Sequence, residues 1–312
     1  MKKAVLIPLI VGASLLVTGS VIFGVAFANQ KAIETETITY NLDKKFKNIE
    51  AKLNVSDVEF KISSESKIVF EQIKKHYVTA DIQNETLLLN ETDSRPWYEK
   101  MFGFYKIKTT IYLPETTFDN FTLDSATGDI KIPEGYEFSN LKINLSTGDV
   151  DVKSNIKEEA NIKTSTGSIS LEKANPTSLK LEASTGHISV KDVSTNGDAY
   201  IKTSTGGHTI NKLKANNLDE SASTGNINIS NSLIEKHAKL HTSTGDIKFM
   251  ESDAETLDVE ASTGNVDMSL LSGKTFEVTT STGKQSVPPS TSGAGLCKIK
   301  TSTGNINVVV KQ

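Results

Sequence analysis

A chain of 312 residues with a formal net charge of −4 offers no basic surface for a nucleic-acid polyanion. Its single cysteine, Cys297, excludes an internal disulfide and a cysteine-rich zinc site. Aromatic residues make up only 6% of the chain, while Thr, Ser, Asn, Ile and Val abound, which favours strands and turns over helices.

Lys2 and Lys3 precede an uncharged apolar run from Ala4 to Ala28, 25 residues long. Such a run can span roughly 30 Å of hydrocarbon as a helix. The lysines would stay in the cytoplasm. The expected order is a cytoplasmic tip (1–3), a transmembrane anchor or signal segment (4–28) and an extracytoplasmic domain, making a single-pass protein of the cell membrane. Ala26-Phe27-Ala28 also fits a signal-peptidase site, so secretion after cleavage near Ala28 competes with this reading. The run exceeds a usual signal core, which favours the anchor.

Residues 29–120 read as irregular N-terminal β coils and a cap. Ile49, Ala51, Leu53 and Val55 alternate with polar residues, and the alternation resumes after Ser56-Asp57 at Val58, Phe60 and Ile62. Val78, Ala80 and Ile82, then Leu87 and Leu89 across Asn84-Glu85, predict strand–turn–strand, and Ile107 to Leu113 predicts a further strand. Between them an aromatic insert, 95–105, holds Trp97, Tyr98, Phe102, Phe104 and Tyr105. Those rings serve either as a flap over the open end of an apolar core or as a membrane or ligand contact, since Trp and Tyr favour the headgroup level.

From 121 to 312 one tripeptide, Ser-Thr-Gly, recurs with a period near 20 residues. Its glycines are Gly128, Gly148, Gly167, Gly186, Gly206, Gly225, Gly245, Gly264, Gly283 and Gly304, and only the first copy departs, reading Ala126-Thr127-Gly128. A period of this length marks a solenoid. Positions seven and five before each glycine and two and four after it are apolar, the exceptions being Glu220, His208 and Gln285. This parity predicts two short strands per coil, one face inward and one solvated. The glycines mark a corner where a Cβ would intrude, with Ser and Thr expected to hold it and a following Asp or Asn adding turn chemistry. Four before the glycine, Lys163, Glu182 and Lys202 alternate in sign, and seven before it Ala and Leu alternate from Ala160 to Leu257. Both patterns favour one coil per repeat, each laid on its predecessor. The expected fold is all-β, a single-stranded parallel β-solenoid of ten clear coils, about 45–50 Å long at β spacing. Val287-Pro288-Pro289 to Gly295 predicts a loop, and Val308 to Val310 predicts an unpaired terminal edge.

The reiterated Ser-Thr-Gly-Asp/Asn flanked by alternating apolar residues resembles the bacterial "putative adhesin" β-strand-repeat family of unknown function. The anchor with the degenerate Ile49–Ile62 coil is similar to the LiaG-like envelope proteins of Gram-positive bacteria. The resemblance implies a surface β-solenoid and carries no catalytic motif.

Nothing in the residues themselves adds an enzyme site. His76, His187, His208, His237 and His241 are scattered, no Gly-x-Ser-x-Gly elbow occurs, and outward charges change sign from coil to coil. No catalytic residue, cofactor or metal site is expected, and Cys297 falls at an inward, packing position. The expected role is a non-enzymatic, membrane-anchored surface protein whose polar ladders contact wall polymer, lipid headgroups or another membrane protein. The alternative is an accessory of an envelope-stress signalling system acting through a membrane partner.

Overall fold

The computed structural model describes residues 35–73, 75–96 and 107–311. The apolar segment 4–28 and the aromatic residues Trp97, Tyr98, Phe102, Phe104 and Tyr105 lie outside them. The described residues form twenty-five strands and no helix.

The repeat builds one coil each time, as the alternating charges predict. Leu179, Leu181 and Ala183 of the Gly186 coil lie beside Ala160, Ile162 and Thr164 on one side and Ala199, Ile201 and Thr203 on the other, all strands parallel. After the glycine, Ile188 and Val190 lie between Ile169 and Leu171 and His208 and Ile210. The inward residues are buried because parallel strands about 4.8 Å apart leave no water between coils. Small and large residues alternate along the inward columns seven and three before the glycine, so neighbouring coils interlock there without voids.

The expectation of two strands per coil falls short by one side. Six residues past the glycine the chain turns again, through left-handed backbone at Lys173 (φ 59°), Asp192 (52°), Lys212 (58°), Asn231 (53°) and Glu251 (52°). A third short segment follows and pairs from coil to coil, Leu233–Ile234 lying on Lys214–Ala215 and then under Asp253–Ala254.

At the N-terminal end the stack continues past the regular repeats. Asn48–Leu53 and Ser56–Ile62 form a coil that pairs with the Gly128 coil despite being 72 residues away in sequence. The outermost parallel coil is Thr86–Asp93 with Ile107–Leu113. The coil at Ile49, first in sequence, is therefore second in the stack. Antiparallel strands close this end: His76–Gln83 on one side, Lys67–Ile73 and then Thr35–Asn41 on the other. Phe46, Phe60, Phe118, Phe121, Tyr136 and Phe138 fill the core here, with Phe60 edge-on to Phe121 at 5.3 Å.

The last two coils exchange places. The Gly304 strand, Leu296–Thr303, lies directly on the Gly264 coil, and the Gly283 strand, Thr275–Thr282, lies beyond it. The rule that each coil lies on its sequence predecessor fails here, and the inward column explains why. In sequence order Leu257 would meet Phe276, large against large. In the observed order the column runs Leu257, Cys297, Phe276, and the alternation is kept. The outward column agrees: Glu260 meets Lys300 at 3.1 Å instead of the uncharged Thr279. Val308 to Val310 pair with Met268 to Leu270 on one side only, because the outer strand ends opposite Asn307, so among the described residues they keep the unpaired edge that was expected. The rest of the edge is Thr275–Thr282 with Gln285–Ser286, and Gln285 is exposed there.

Candidate functional site: the glycine corner and its side-chain columns

The corner is built on the absence of a side chain. At Gly186 (φ +151°) a Cβ would stand 1.8 Å from the Gly167 carbonyl oxygen, so positive φ and close approach both require glycine. The coils lock together across this line: Gly186 N–H donates to Thr205 O at 2.9 Å and Gly206 N–H to Thr224 O at 2.8 Å.

The Ser and Thr of the tripeptide do not hold the corner; both are exposed in every copy. In the coils that carry Thr there, that role belongs to the inward residue three before the glycine. The Thr164 hydroxyl donates to Gly148 O, Thr242 to Gly225 O and Thr301 to Gly264 O, at 3.0–3.2 Å. The residue after the glycine completes it. Asp149 N–H donates to Asp129 Oδ1, Ser168 N–H to Asp149 Oδ1, Asp246 N–H to Asn226 Oδ1 and Asn265 N–H to Asp246 Oδ1, at 2.7–2.9 Å. Each Asp or Asn thus accepts the backbone N–H of the next coil. The exposed Ser and Thr columns stand free beside this ladder, at coil spacing along the whole corner.

The ladder breaks at Gly207. His187 reaches over it to Thr209 Oγ1 through Nε2 at 3.0 Å, and Gly207 brings no side-chain acceptor. A Cβ on Gly207 would stand 2.9 Å from Asn226 O. Beneath this break lie the two polar exceptions of the inward columns, both fully buried and facing each other. His208 Nδ1 is 2.7 Å from Glu220 Oε1, and Nε2 is 3.0 Å from Thr203 Oγ1. Thr203 donates its own proton to Gly206 O, so it accepts from His208 Nε2–H. Glu220 Oε2, the other oxygen of the pair, has no hydrogen-bond partner among the described residues. Burial, then the neighbouring His208, holds His187 below the ordinary histidine value.

A second polar cluster lies at the N-terminal end. His76, Glu91, Asp93 and Arg95 are buried together; Arg95 donates to Asp93 at 2.6 and 2.8 Å, and Glu91 accepts from Asn54 N–H at 2.7 Å. Burial pushes the Asp93 carboxyl up, but the Arg95 hydrogen bonds and the His76 charge outweigh it and hold it below its ordinary value. The insert with Trp97, Tyr98, Phe102, Phe104 and Tyr105 leaves from beside this cluster. Its described flanks, Pro96 and Ile107, bracket the corner of the outermost coil, since Ile107 pairs with Ser56 and Ser56 lies against Gly128. Among the described residues no three His, Cys, Asp or Glu side chains could hold a metal ion. The signal for His208 and Glu220 was their polarity at inward positions; that they meet could not be read, because they occupy different columns of different coils.

Comparison with known proteins places this architecture. A family model, Toastrack DUF4097, matches residues 46–208 and 196–312. Among solved structures, a putative lipid binding protein from Parabacteroides distasonis is similar at 15% identity over 88% of this chain and 97% of that one, with a TM-score of 0.47. A putative adhesin from Bacteroides fragilis is similar at 14% identity over 89% and 98%, with a TM-score of 0.39. A putative cell adhesion protein from Clostridium sporogenes is similar at 11% identity over 89% and 100%, with a TM-score of 0.24. No curated protein matches the sequence.

Proposed function

The chain belongs to the Toastrack DUF4097 family, and from that premise we propose that it is a non-enzymatic binding module of the cell envelope, held to the membrane by residues 4–28. One observation carries the reading. The corner presents an exposed Thr column in register over ten coils and a Ser column over nine of them, so a long partner meets the same contacts again from coil to coil. Each contact is weak, but repetition raises the effective concentration of the next and gives avidity without a pocket. The full chain is expected to co-sediment with purified wall sacculi or with membranes of its own cell. A chain that remains in the supernatant with both contradicts the proposal.

A second reading, the accessory of an envelope-stress system, draws support from the described flanks of the aromatic insert. Its flanks and Thr35, the first described residue, lie at the same end of the stack. An anchor at residues 4–28 would bring this end of the stack toward the membrane, and Trp97, Tyr98, Phe102, Phe104 and Tyr105 are of the residue types that favour the headgroup level. Crosslinking in native membranes tests this. A specific membrane-protein partner lost from Trp97→Ser/Phe102→Ser supports it, and an unchanged pattern removes it.

A further inference from the structure

The four coils of Gly167, Gly186, Gly206 and Gly225 share a surface unlike its surroundings. From the Ser of the tripeptide to the third residue past the glycine, none of their residues is Asp, Glu, Lys or Arg. Charges resume on both sides, with Asp149 and Asp151 on the preceding coil and Asp246 and Lys248 on the following one. The patch is about 14 Å long at coil spacing. At its centre is the Gly207 break. Elsewhere the backbone N–H at this level is taken by the Asp or Asn of the neighbouring coil, or at His187 by the Ser168 hydroxyl; among the described residues, Gly207 N–H and Asn226 N–H have no acceptor. The two donors are held in place by Gly206 N–H to Thr224 O and His208 N–H to Asn226 O, both 2.8 Å.

We propose that this face is where the solenoid takes an uncharged glycan strand, an inference that rests on the binding-module reading above. The open N–H groups need acceptor oxygens, and the hydroxyls and amides of Thr209, Ser189 and Asn228 both give and accept. A phosphate polymer or an anionic headgroup would call for Lys or Arg, which this face lacks. An apolar partner would leave the two N–H groups unpaired. Polyhydroxylated sugar supplies acceptors and donors with no charge to neutralise, and Gly207 lets it approach the backbone closely.

The test is titration calorimetry on the full chain in detergent, with chitohexaose and cellohexaose as uncharged glycans and poly(glycerol phosphate) as the anionic comparison. Saturable binding of at least one hexasaccharide is expected. Thr209→Lys, at an exposed position, should weaken it at least tenfold with an unchanged Tm, and Thr117→Lys, exposed and away from the corner columns, should leave it as in the wild type. Hexasaccharide binding unaffected by Thr209→Lys, or binding of poly(glycerol phosphate) alone, overturns the proposal. A chain that co-sediments with wall material but ignores both hexasaccharides sinks only this assignment. A chain that does neither sinks the binding-module reading as well.

Discussion

Replacing Gly186 by alanine puts the corner under the sharpest strain. The new Cβ would lie 1.8 Å from Gly167 O and 2.5 Å from its carbon, with no flexible side chain there to move aside. Left-handed backbone at a non-glycine residue costs roughly 1–3 kcal/mol. To clear the oxygen the coils must also separate, which stretches Gly167 N–H to Thr185 O (2.8 Å) and Ile169 N–H to His187 O (2.9 Å). Losing each costs about 1 kcal/mol. The total is about 3–5 kcal/mol, a large share of the ~5–15 kcal/mol that holds a typical domain together. Guanidinium unfolding followed by far-UV circular dichroism measures it. Gly293→Ala is the control: φ is +77° and nothing lies within 4 Å, so only the backbone strain remains. The reasoning fails if Gly186→Ala unfolds within about 1 kcal/mol of the wild type, at an unchanged m-value.

The buried His208–Glu220 pair predicts a non-additive cycle. Glu220→Leu alone strands the imidazole and should cost about 3–5 kcal/mol, whereas His208→Ile with Glu220→Leu should restore stability to near or above the wild type; equal losses in single and double variants contradict this. Burial, with Asp253 adding to it and Lys274 opposing, pushes the Cys297 thiol from 9.0 up to about 12. A raised value means the unfolded chain releases the proton first, so stability is intact below pH 9 and falls through the window from 9 to 12, by about 1.4 kcal/mol per unit from this group. Cys297→Ala should remove that part of the alkaline slope in pH-dependent unfolding, and an unchanged slope contradicts the assignment. Lys212 sits at φ 58°, so Lys212→Gly should relieve strain and stabilise by up to about 1 kcal/mol, net of its exposed ion pair with Asp192. A loss of more than 1 kcal/mol in thermal unfolding would show that the second corner is not strained.

How much of this could be read in advance depended on whether a feature repeats and whether it carries a residue signal. The glycine period, the apolar columns and the Lys163–Glu182–Lys202 alternation all state lateral adjacency, and the coils follow them. The same columns already held the exchange of the last coils. Leu257, Phe276 and Cys297 fit the alternation only when reordered, and Glu260 finds its cation on Lys300. The second corner was hidden because no glycine marks it; Lys, Asp, Asn and Glu adopt left-handed backbone there under the pull of the stack. The tripeptide hydroxyls misled because Ser and Thr are good turn formers, yet the inward Thr164 and its equivalents reach the corner carbonyls instead. The outermost coil was obscured because its two strands are separated by the aromatic insert.

The central claim is that lateral fit between coils, rather than sequence order, decides what lies on what. Paired cysteines in a Cys297→Ala background test it. Ser262 and Ser302 lie on adjacent strands, so Ser262→Cys/Ser302→Cys should form a disulfide on oxidation, whereas Ser262→Cys/Ser281→Cys, two coils or about 9.6 Å apart, should not. A bridge in the second pair and none in the first would contradict the account.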